Sequence, residues 1–74
     1  MDYQYLTDQE RRSIAEARIR DLERGHYLRT LDLEDAKERG DTKAVDVIAE
    51  DLGQREATIT EAVATLDKVA PRPA

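Results

Sequence analysis

Lys37-Glu38-Arg39-Gly40-Asp41-Thr42-Lys43-Ala44-Val45 is the stretch on which the reading of the fold depends. Gly40 can enter the left-handed conformation that closes a helix, because it has no Cβ to clash there. Lys37 and Arg39 stand just before it, where positive charge suits the negative end of a helix dipole. Asp41 or Thr42 can then accept from the first free backbone N–H groups of a second helix. One helix stopping and another starting within three residues predicts a tight antiparallel turn.

Periodicity on either side supports that turn. After it, Val45, Ile48, Leu52, Arg55, Ile59, Ala62, Leu66 and Val69 follow at gaps of 3-4-3-4-3-4-3. Before it, Arg12, Ala15, Ile19, Leu22, His26, Arg29, Leu33 and Ala36 repeat the same gaps. Such a heptad row forms one stripe along a helix. Folding at Gly40-Asp41 pairs the rows in reverse, Ala36 with Val45, Leu33 with Ile48, and so on to Arg12 with Val69. Each pair of numbers sums to 81, and a constant sum is what an antiparallel hairpin requires. The expected fold is therefore all-α, an antiparallel two-helix hairpin packed like a coiled coil and suited to a larger bundle or assembly.

The chain ends complete the expected organisation. Thr7-Asp8-Gln9-Glu10 has the pattern of a capping box, with Thr7 accepting from the backbone of Glu10 and the Glu10 side chain reaching back. Helices are predicted over about residues 8–39 and 42–70 of a hairpin spanning 7–70. Residues 1–6 read as an extended arm with alternating Tyr3 and Tyr5. Pro71 stops the second helix and begins a short Pro-rich tail, 71–74.

Composition excludes several classes. The net charge of −5 gives no basic face for nucleic acid and no general attraction to an anionic membrane. With no cysteine there is no disulfide framework and no zinc–thiolate site. Residues 1–10 lack the basic and apolar regions of a signal peptide, and no apolar run approaches a membrane span. Cytosolic synthesis without secretion is expected. The mean hydropathy of −0.78 alone would suit a disordered chain, but the heptad rows argue for order.

Two sets of residues invite a functional reading. The seam has a polar middle of His26, Arg29 and Arg55, with Glu23 and Glu56 one position aside as possible counter-ions. Such a layer fixes register, or serves as a binding site or switch. Outside the seam, the first helix carries Ile14, Ala17, Leu28 and Leu31, flanked by Tyr27. Two helices share a single seam, so a lone hairpin leaves most of its surface wet and is marginal. A protein partner is expected, with Ile14, Tyr27, Leu28 and Leu31 as anchors and the Tyr3/Tyr5 arm as a clamp. The second helix also has a face of small residues: Ala49, Gly53, Ala57, Thr60 and Ala64.

Chemistry has little support in the sequence. Ser13 and the threonines have no general base at helical spacing, and no Gly-rich phosphate loop exists. No enzyme activity and no cofactor are expected. Arg39-Gly40-Asp41 spells an integrin-adhesion tripeptide, yet each of its residues has a structural reason to be there. Glu23-Arg24-Gly25-His26 has the E-x-x-H spacing of di-iron carboxylate helices. A hairpin with that pattern distantly resembles the encapsulated ferritins, which implies a metal site at Glu23 and His26 across a dimer. The neighbouring Arg29 and Arg55 would repel such an ion.

A further resemblance covers nearly the whole chain. Nine Arg against three Lys, ten Ala, no Cys, and the turn Arg39-Gly40-Asp41-Thr42-Lys43-Ala44-Val45 look like small virion or accessory proteins of actinobacterial phages. That resemblance implies a minor capsid or decoration protein cementing coat subunits, located in the virion. The alternative readings are a small regulator or anti-defence inhibitor of a host protein, and the metal-bearing hairpin oligomer. The partner is expected to be a second copy of the chain, a larger assembly such as a capsid shell, or both.

Overall fold

The structure is a computed structural model describing residues 5–69, without the side chains of Asp67 and Val69. Tyr3 and the rest of the arm to residue 4, the Arg12–Val69 pairing, Ala70 and the Pro-rich tail lie outside the described residues. Within them the chain is an all-α hairpin of two helices, α1 (Asp8–Glu38) and α2 (Thr42–Val69), packed along their length.

Both helix starts follow from side-chain oxygens meeting backbone N–H groups that the helix itself cannot satisfy. At α1 the capping box is complete. The Glu10 N–H donates to Thr7 Oγ1 at 3.0 Å, and the Thr7 N–H donates to Glu10 Oε1 at 3.1 Å. At α2 the cap is Asp41, whose Oδ1 accepts from the Ala44 N–H at 3.1 Å.

Between the helices, Gly40 has φ +70°, the left-handed region. The Asp41 N–H donates to Ala36 O at 3.0 Å and the Gly40 N–H to Lys37 O at 3.1 Å. This pair of bonds is the Schellman motif, which satisfies the carbonyls left free at a helix end. Asp41 thus closes α1 with its N–H while its carboxylate opens α2. Arg39, expected as the last helical residue, is the cap of α1.

Burial follows the heptad rows. Every described seam residue is partly or fully shielded except Arg55. Among the described residues only Ala36 and Ile48, at 0% and 6% exposure, are buried outright, and both lie near the turn. The radius of gyration is 16.6 Å, against about 11 Å for a compact domain of this length. The chain exposes 6094 Å², where a compact protein of 8.4 kDa exposes about 4,600 Å². The hairpin is in effect a slab one helix thick with two broad faces.

Candidate functional site

The polar middle of the seam forms, with one expected cross-helix partner and one unexpected. Arg29 Nε donates to Asp51 Oδ2 at 3.0 Å, and Arg29 Nη1 to Asp32 Oδ2 at 3.1 Å. Arg55 Nε donates to the same Asp51 oxygen at 2.8 Å. His26 Nε2 lies 3.2 Å from Glu56 Oε1. Glu56 was an expected counter-ion; Asp51, which bridges both arginines, was not. Asp51 precedes Leu52, which the seam places opposite Arg29. A long guanidinium stem reaches past the seam to its flank.

Asp51 is held below the usual carboxylate range, chiefly by the hydrogen bond from Arg55 and then by Arg29, with partial desolvation opposing. Arg29 is raised in turn, first through Asp32. These groups neutralise one another across the two helices.

Arg55 corrects the sequence reading. It is exposed rather than a seam knob, and its guanidinium crosses over the bare backbone of Gly25. A Cβ added at Gly25 would sit 3.0 Å from Arg55 Nη1. A glycine inside a helix costs about 1 kcal/mol relative to alanine, and here it leaves room for the crossing arginine. The unexplained mid-helix glycine was the available signal.

The anchors expected on α1 are all accessible. Ile14 is 59% exposed and Leu28 52%, with Tyr27 and Leu31 also open. Tyr5 is 87% exposed at the start of the described chain, so its ring does not fold back onto the hairpin. Two exposed valines escaped the sequence reading, Val47 and Val63 on α2. Val47 joins Leu28 in one shallow hollow of about 540 Å³, lined also by Gly25, Arg29, Asp32, Asp51 and Arg55. The two apolar residues come from different helices, so a stripe on one helix shows Leu28 but not its pairing with Val47. The small residues Ala49, Gly53, Ala57, Thr60 and Ala64 are all exposed, and nothing lies within 4 Å of a Cβ built at Gly53.

A second hollow, of about 530 Å³, lies at the open end. Leu6, Ile14, Ala15, Ala62 and Leu66 line it together with Arg11, Arg18 and Lys68. The two hollows share one flank of the slab. Arg11, Arg18, Gly25 and Asp32 are spaced by sevens on α1, as are Ile14 and Leu28 at twice that interval. In a heptad-packed helix, residues seven apart keep the same flank. On the opposite flank Glu23, His26, Glu56, Ile59 and Thr60 line a shallower depression.

Charge is divided unevenly along the slab. From Asp32 to Asp51, the turn end, there are eight acids and three bases. The remaining residues hold nine of each, so the whole net charge of −5 resides in the turn end.

Among the described residues, no group of three or more His, Cys, Asp or Glu side chains converges on a metal position. Glu23 and His26 line one depression, but the His26 nitrogen is already directed at Glu56. The hydroxyls of Thr30, Thr58 and Thr65 donate to carbonyls of their own helices. In the Arg39-Gly40-Asp41 tripeptide, Arg39 pairs with Asp35 at 3.2 Å, Gly40 makes the turn, and Asp41 caps α2. Among the described residues no helix is long and apolar enough to cross a membrane. Comparison with protein-family models, curated proteins and solved structures finds no match to this chain.

Proposed function

We propose that this hairpin is a non-enzymatic docking element that binds another protein through its helix faces. The exposure of Ile14, Tyr27, Leu28 and Leu31 on a helix whose seam is otherwise occupied carries this reading. An apolar patch at the surface is costly in water, and covering it is the favourable term that drives association. The excess surface adds support, because a slab with only two buried side chains among its described residues gains stability from a partner.

The narrower form of the proposal is a decoration protein that cements coat subunits of a phage virion. It is supported by the Arg- and Ala-rich, cysteine-free composition and by a shape suited to lie along a groove between larger subunits. The acidic turn end favours a second reading, a regulator that engages a basic patch on a host protein. Leu28→Asp combined with Leu31→Asp tests the docking claim. The double variant should retain its helicity in the complex buffer and lose the partner. Undiminished binding would overturn the assignment of that face. Fixed stoichiometry with purified particles supports the cement form, whereas a tight soluble complex with a host protein supports the regulator.

A further inference from the structure

We draw no further inference here: the strongest candidate, the apolar hollow at the open end of the hairpin lined by Leu6, Ile14 and Leu66, has its Arg11 already paired with Asp8, and nothing in the structure shows what covers it.

Discussion

At the turn end of the hairpin, Ala36 and Ile48 are buried and the chain reversal is closed by three backbone and side-chain bonds centred on Asp41. At the open end no described side chain is buried, and the helices flank a hollow lined by Leu6, Ile14 and Leu66. The turn end is thus specified locally, by residues close in sequence whose ordering costs little loop entropy. The open end depends on contacts between residues some 50 positions apart in the chain, such as Ala15 and Leu66. The difference teaches where a partner matters. The end that is closed by local bonds carries the net charge, and the end that leaves its apolar floor uncovered gains most from being covered.

The sharpest way to break this contrast is to truncate one seam residue in each half. Ile48→Ala should cost about 2–5 kcal/mol, enough to unfold a marginal hairpin. Leu66→Ala, only half-buried, should cost clearly less. Denaturant melts of the two variants decide it, and equal losses would mean that the halves are packed alike. Next in size is Gly40→Ala, which forces a Cβ into the left-handed region and should cost about 1–2 kcal/mol. Removing the helix caps comes third. Asp41→Ala should cost up to about 2 kcal/mol because Asp41 serves both helices, and Thr7→Ala should fall nearer 0.5 kcal/mol. Thermal melts in which Thr7→Ala proved the worse would reverse the ranking.

The smallest effect is that of Asp51, at the boundary between the halves. Its carboxyl is depressed in the folded chain, so it contributes stability that is present above the ordinary carboxylate pKa. That stability is lost as pH falls through the lower folded-state value. Acid titration followed by circular dichroism should show part of the wild-type destabilisation below about pH 4 missing in Asp51→Asn. Identical acid profiles would mean that the bridge to Arg29 and Arg55 adds nothing.

How much of this was legible depends on the range over which each feature acts. The turn was readable because Gly40 and Asp41 act on neighbours within five residues. The seam was readable because two identical gap patterns leave little freedom in register. The observed cross-helix pairs agree with that register: 26 and 56 sum to 82, and 29 and 51 sum to 80, on either side of 81.

The features that were missed all require the second helix to be in place. Asp51 sits one residue off the seam, beside Leu52, and its role depends on how far the Arg29 and Arg55 side chains reach. Arg55 occupies a heptad position but escapes over Gly25, since a charged head gains more from Asp51 and water than from the interior. Val47 lies off the heptad row of α2, and only the fold sets it beside Leu28. The uneven division of charge could be counted in the sequence, but it has meaning only once the turn defines two ends.

The central claim is that this hairpin is incomplete alone and is finished by covering a broad face. It is tested most directly by thermal melting of the purified chain, followed by circular dichroism over a hundredfold range of concentration. The account predicts low stability and partial helicity at the dilute end, with the melting temperature rising as concentration increases. A fully helical chain whose high melting temperature does not change on dilution, at the mass of a monomer, would contradict it.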